Sequence, residues 1–280
     1  MTPSRTSRSR PLNAAVFIVI ALFLSTRSSS AEDKVSMEAA DSLMKSGQAG
    51  QAAEQYYAAY KANPRGKDAA LSLIKTGRAL DAAKLKFYEE ADGKCYLGKK
   101  SERQARPECF EASVSDLNRR FGEGSFTYHG DTVQFAYNAT HFKKVLDEFP
   151  GSPYEDEARL MLLRGDALYA DDPDTPIKKV DDWLEAFPKS TSRPKALLLL
   201  GRLHADAFIT LKSGGIVLIN GKVDSQGVAM ERSKHQQKGL VAFQEVFEKY
   251  SSSPEAAPAR KEYELLKNGQ DDGISYGISY

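Results

Sequence analysis

FPGSPYEDEARLMLL (149–163) and FPKSTSRPKALLLLG (187–201) decide how this chain folds. In both, an aromatic residue is followed by proline and, three positions on, by serine. Alanine comes nine positions after the aromatic (Ala158, Ala196) and leucine thirteen after it (Leu162, Leu200). A third copy starts at Tyr250, with Ala259 and Tyr263 at the same offsets. A fourth starts at Tyr60, with Ala69 and Leu73. Self-similarity of this kind is the mark of a repeat architecture. Proline stops a helix because it has no N–H and clashes with the preceding turn. A short polar loop then leads into the next helix, where alanine allows close approach. Upstream of each marker aromatic the apolar residues keep helical spacing: Phe142, Val145, Leu146 and Phe149; Val180, Trp183, Leu184 and Phe187; Phe243, Val246, Phe247 and Tyr250. A helix with one apolar stripe must bury it against a neighbour, and a row of such helices stacks on itself.

The first copy predicts one helix over about 34–46 and a second over about 50–62. Residues 68–90 predict a shortened pair that turns near Gly77. Ala40, Gly47, Ala52, Tyr56, Ala59 and Pro64 resemble the tetratricopeptide-repeat pattern of small, aromatic and proline positions. That resemblance implies an all-α, helical-hairpin solenoid across 32–267. The F-P-x-S-P-Y spacing with following alanine is similar to two groups of bacterial envelope proteins. One is the TolA-binding cell-division coordinators, the other the helical-repeat lipoproteins of the outer-membrane assembly machine. Both groups act by holding other proteins, so the resemblance implies an interaction scaffold.

Two insertions interrupt the array. Residues 92–131 carry both cysteines, a short helix expected over 107–121, and glycines 122, 124 and 130. Residues 213–227 (SGGIVLINGKVDSQG) predict one small β-hairpin turning at Asn220-Gly221. It is the sole strand content expected. Residues 268–280, ending ISYGISY, read as a disordered tail.

The N-terminal 31 residues carry Arg5, Arg8 and Arg10 ahead of an apolar run, then Ser29 and Ala31 at −3 and −1 of an expected cut. This reads as a signal peptide, and so as a periplasmic protein with no membrane span after cleavage. Four arginines and no acid lie in that segment, so the remainder carries −3 against +1 for the whole chain. A nucleic-acid binder would need a basic excess. In an oxidising compartment Cys95 and Cys109 are expected to pair.

The chemistry of a catalyst is not legible. His129, His141, His204 and His235 fall in no metal-ligand spacing, and no nucleophile elbow, phosphate loop or dinucleotide fingerprint occurs. Asp171, Asp172, Asp174, Asp181 and Asp182 lack the glycine and terminal glutamate of a calcium loop; a helix starting near Pro176 explains them better. Asn138-Ala139-Thr140 forms a glycosylation sequon within a helical pattern. No cofactor or metal is expected. An alternative is a structural subunit of an envelope export or assembly machine; a further one is an exported enzyme with its site in 92–131, around His129.

The repeat register points to a partner-binding surface. The position fifteen residues past each marker aromatic holds Lys75, Arg164, Arg202 and Leu265. Lys195 lies two helical turns before Arg202. Guanidinium groups suit bidentate capture of carboxylates. Repeat proteins of the resembled class bind chain termini with such basic clamps, so the resemblance implies a protein or peptide partner with an acidic segment or C-terminus as its ligand. The alternative is that these cations are ordinary solvated residues or pair with acids of the chain itself.

Overall fold

The structure is a computed structural model of the 280-residue chain, and it describes residues 29–97, 104–130, 134–167, 174–212, 218–219, 222–223 and 225–270. It is mostly helical. The order is α1 (Ser29–Lys45), α2 (Ala49–Ala62), α3 (Ala69–Cys95), β1 (Tyr96–Leu97), β2 (Gln104–Ala105), α4 (Pro107–Phe121), β3 (Phe126–His129) and β4 (Gln134–Tyr137). There follow α5 (Thr140–Glu148), α6 (Glu155–Ala167), α7 (Asp174–Ala186), α8 (Arg193–Lys212), β5 (Leu218–Ile219), β6 (Lys222–Val223), α9 (Ser225–Lys249) and α10 (Ala256–Lys267). No helix among the described residues is long and apolar enough to cross a membrane. The expected signal segment, up to residue 28, and residues 271–280 of the expected tail lie outside the described residues.

The sequence repeat is a repeat in the backbone. The N–H three residues past each marker aromatic donates to that aromatic's carbonyl: Asn63 to Tyr60 at 3.2 Å, Ser152 to Phe149 at 3.1 Å, Ser190 to Phe187 at 3.1 Å and Ser253 to Tyr250 at 2.8 Å. Three residues further the same step recurs, from Gly66, Glu155, Arg193 and Ala256 to Asn63, Ser152, Ser190 and Ser253. Four loops thus turn the chain in the same way, because each must satisfy the same orphaned carbonyls where a helix ends. The alanines nine residues past the marker, Ala69, Ala158, Ala196 and Ala259, are all buried.

Packing runs from neighbour to neighbour. α1 lies on α2, α2 on α3, α3 on α5, and then each helix on the next through α10. The core is accordingly a row of three apolar clusters. One joins α1–α4 with the first insertion, one joins α2, α3, α5 and α6, and one runs through α6–α10. Gly47 and Gly269 sit just past α1 and α10 with φ of 76° and 66°. Both close a Schellman cap: Gln48 N–H reaches the Leu43 carbonyl, and Gln270 N–H the Leu265 carbonyl.

Three expectations need correction. Residues 68–90 do not form a helix pair turning at Gly77; α3 is a single helix of 27 residues. Gly77 lies mid-helix because a Cβ there would sit 2.6 Å from the Phe142 ring of α5. The glycine marks close helix contact, which a sequence cannot distinguish from a turn. Strand is also not confined to 213–227. β5–β6 is there, its register of Leu218 with Val223 and Ile219 with Lys222 bracketing positions 220–221. Two further antiparallel hairpins, β1–β2 and β3–β4, lie in the first insertion. Their short alternating runs, such as Phe126-Thr127-Tyr128, carry the β-branched and aromatic signal, and it was missed beside the glycines.

The sequon is the third case. Asn138 precedes α5, followed by Ala139 in the left-handed region at φ 57°. The Asn138 side-chain amide donates to the Gly124 carbonyl (2.8 Å) and to Thr127 Oγ1 (2.7 Å), tying the β3 loop to the start of α5. The helix expected to start near Pro176 is α7, which begins at Asp174; Asp171 and Asp172 lie outside the described residues.

The first insertion is part of the core. α4 occupies 107–121 as expected, with proline in its first turn. Phe110, Phe121, Phe126 and Phe135 are buried with Phe87 of α3. Phe110 and Tyr128 stack with centroids 5.3 Å apart and planes 7° apart. Cys95, the last residue of α3, bonds to Cys109 in α4 with Sγ atoms 2.02 Å apart.

Candidate functional site: a strip of inter-helix ion pairs

The cations singled out by the repeat register are placed by α3, α6 and α8. Lys75 on α3 donates to both Asp41 oxygens on α1, at 2.6 and 2.8 Å. Tyr56 of α2 donates to the same carboxylate at 2.5 Å. Burial opposes charge on Asp41, but the hydrogen bonds from Lys75 and Tyr56 outweigh it and hold its pKa below the ordinary value. The Tyr56 hydroxyl is pushed upward, first by burial and then by that bond. Lys75 also lies 5.4 Å from the centre of the Tyr56 ring.

Lys195 on α8 reaches Glu157 Oε1 of α6 at 3.3 Å. The same oxygen accepts Arg78 Nε of α3 at 2.5 Å. One buried carboxylate therefore joins three helices. Arg202 on α8 holds Glu262 of α10 in a fork: Nε lies 3.1 and 2.9 Å from the two oxygens, and Nη2 lies 2.5 Å from Oε1. Arg164 belongs to α6, and its side chain lies outside the described residues.

Lys75, Lys195 and Arg202 thus face three different acids of the chain itself. Their side chains remain 21%, 27% and 27% exposed. Such half-buried pairs link helices far apart in sequence, and each keeps an edge open to solvent. A ligand carboxylate at any of them must share the cation with an acid already in place. Arg78 was missed by the sequence reading. It lies three residues past Lys75 on one helix, a spacing that puts both on one face. The acids Asp41, Glu157 and Glu262 carried no sequence signal, since their partners are 34 to 79 residues away in the chain.

The histidines divide in two. His129 is exposed at the end of β3, paired in register with Gln134. The other three are buried. His141 Nδ1 meets the Tyr137 hydroxyl at 3.0 Å, and burial lowers its pKa to about 4. His204 of α8 and His235 of α9 face each other, Nδ1 to Nδ1, at 2.9 Å. One ring must donate and the other accept, so the accepting ring is neutral. Burial, reinforced by His235 and by Lys238 and Lys234, lowers the pKa of His204 to about 3. Burial also lowers that of His235, against the pull of Asp174 and Glu231. A cleft of about 350 Å³ opens beside the pair, with Leu197 and Leu200 in its lining, Asp181 and Lys238 beside them, and Val241 at its rim. Among the described residues no three His, Cys, Asp or Glu side chains are grouped to hold a metal ion.

No family model matches the chain, and no curated protein matches it either.

Proposed function

We propose that the protein is a non-enzymatic scaffold of the bacterial periplasm, a tetratricopeptide-like helical-hairpin solenoid that holds a protein or peptide partner. The observation that carries this reading is the four-fold loop: the same two backbone hydrogen bonds recur after Tyr60, Phe149, Phe187 and Tyr250. An array built by one repeated turn presents equivalent positions of successive helices side by side. Lys75, Arg164 and Arg202 hold one such position, with Lys195 on the same helix as Arg202. In this reading the partly solvated Lys75, Lys195 and Arg202 form, together with Arg164, a cationic strip that takes an acidic segment of the partner. The signal peptide, cut after Ala31, delivers the chain, and the Cys95–Cys109 bond suits the compartment.

The test is crosslinking of the exported protein in intact cells, followed by affinity measurement with the recovered partner over a range of salt. An Arg164→Ala/Arg202→Ala variant is expected to weaken binding and flatten its salt dependence. Because Arg202→Ala leaves Glu262 unpaired and nearly buried, an Arg202→Ala/Glu262→Ala variant serves as the folded companion. A salt-independent affinity that both variants preserve overturns the strip as the binding surface. Recovery of a fixed stoichiometric complex instead identifies a structural subunit of an envelope machine.

A further inference from the structure

The repeat register supplies a template for what sits on each inward helix. α7 seats on α6, where the Trp183 indole donates to the Asp156 carbonyl at 2.9 Å. α9 seats on α8, where the Phe243 ring lies against Gly201, so that a Cβ there would meet it at 2.4 Å. In both, an aromatic from the following helix seats on its predecessor, over the first turn of α6 and midway along α8. Leu160 and Leu198, eleven residues past their markers, are buried in the cluster that α7 and α9 help to build.

α10 is the next helix in that series, and no described element covers the equivalent face. The residue matching Asp156 is Ala257, exposed; the one matching Leu160 and Leu198 is Lys261. Between α9 and α10 lies an open cleft of about 490 Å³ lined by Phe247, Ala256, Ala257, Arg260, Lys261 and Glu264, among others. The alanines leave its floor shallow and apolar. Arg260 stacks over Phe247 at 5.2 Å. Among the described residues neither Arg260 nor Lys261 makes an ion pair. The cleft thus combines a seat for an aromatic side chain with two cations, of which Lys261 stands where α6 and α8 carry leucine.

The geometry points to this cleft as a docking site for an acidic amphipathic helix of a partner protein, laid against α10 as α7 is laid against α6. An apolar or aromatic side chain enters over Ala257, and carboxylates beside its apolar stripe meet Arg260 and Lys261. Helix-in-groove recognition uses such anchors at three- and four-residue spacing. The site is separate from the cationic strip, and its test does not depend on that strip taking a ligand.

The chain itself contains a probe of the right chemistry. Residues 174–187 carry Trp183 and four acids against two lysines, a net charge of −2. A fluorescent peptide of that sequence is titrated into the full chain. Saturable binding is expected, weakened at least about tenfold by Arg260→Glu/Lys261→Glu and by Ala257→Trp, which fills the seat. A peptide with Asp181, Asp182 and Glu185 replaced by their amides is expected to bind more weakly, with less dependence on salt. All three substituted positions are exposed, and circular dichroism checks the fold of each variant. No saturation up to about 1 mM, or binding that ignores both variants, overturns the proposal. Two other outcomes overturn it as well. Self-association of the parent that Ala257→Trp abolishes makes the occupant a second copy. A rise of about tenfold or more in peptide affinity on removing residues 271–280 makes it the chain's own C-terminal segment.

Discussion

Two helical glycines show how differently one residue type acts. Gly93 in α3 is exposed, and a Cβ added there would meet nothing within 4 Å. Gly201 in α8 would place its Cβ 2.4 Å from the buried Phe243 ring. Alanine favours a helix over glycine by about 1 kcal/mol. Overpacking a core costs about 1–3 kcal/mol. Gly93→Ala is therefore expected to stabilise the protein by about 1 kcal/mol. Gly201→Ala is expected to destabilise it by up to about 2 kcal/mol, the overpacking cost less the propensity gain. Urea unfolding of the two variants reads both signs, and a stabilised Gly201→Ala would contradict the packing described for α8 and α9. Both residues look alike in the sequence. Only the position of Phe243, 42 residues further on, separates them.

The element scale belongs to the α8–α9 pair. Gly239 of α9 brings the helices close, with a Cβ there 3.3 Å from the Gly201 carbonyl oxygen and from the His204 Cβ. The buried His204–His235 contact lies in the same interface. Both folded pKa values are depressed below the ordinary 6.5, that of His204 to about 3. Below pH 6.5 the unfolded chain binds protons that the folded pair refuses, so stability is complete above that pH and falls as the pH drops toward 3. Each histidine that stays neutral contributes a slope of about 1.4 kcal/mol per pH unit below its unfolded pKa. Lys234 and Lys238 act in the same direction, and Asp174 and Glu231 partly oppose them at His235. Buried His141 adds its own share in this window. A His204→Leu/His235→Leu variant is accordingly expected to lose less stability than the parent between pH 6.5 and 4.5. Parallel loss in the two proteins, measured by denaturant midpoints across that range, would falsify the neutral buried pair.

At the scale of the whole molecule, one covalent bond fixes the first insertion to the array. Cys95 and Cys109 are 14 residues apart and tie the end of α3 to α4. A closed loop of that size removes unfolded-state entropy equivalent to about 3 kcal/mol. The Cys95→Ala/Cys109→Ala variant is expected to lose about that much stability while keeping its helical circular-dichroism spectrum at neutral pH. An unchanged urea midpoint would show that aromatic packing around Phe110 alone fixes the insertion. The cross-link matters to the whole chain because α4, β3 and β4 share a core with α1–α3 rather than hanging from it.

The sequence by itself determined the helical class, the four equivalent loops, the stripes that became the core and the extent of α4. These are local matters: proline ends helices, serine or asparagine begins the turn, and apolar residues at three- and four-residue spacing must be buried wherever the helix goes. It also singled out Lys75, Arg164 and Arg202 as one kind of position, with Lys195 two turns before Arg202. Tertiary structure alone decided what those cations touch, because Asp41, Glu157 and Glu262 reach them from other helices. It decided that Gly77 sits within a helix, since the reason for the glycine is a ring on α5. It decided that residues 92–131 join the core, because an aromatic cluster exists only once α3, α4 and two strands meet. Local chemistry limits where helices start and stop; which faces meet depends on contacts between residues far apart in the chain.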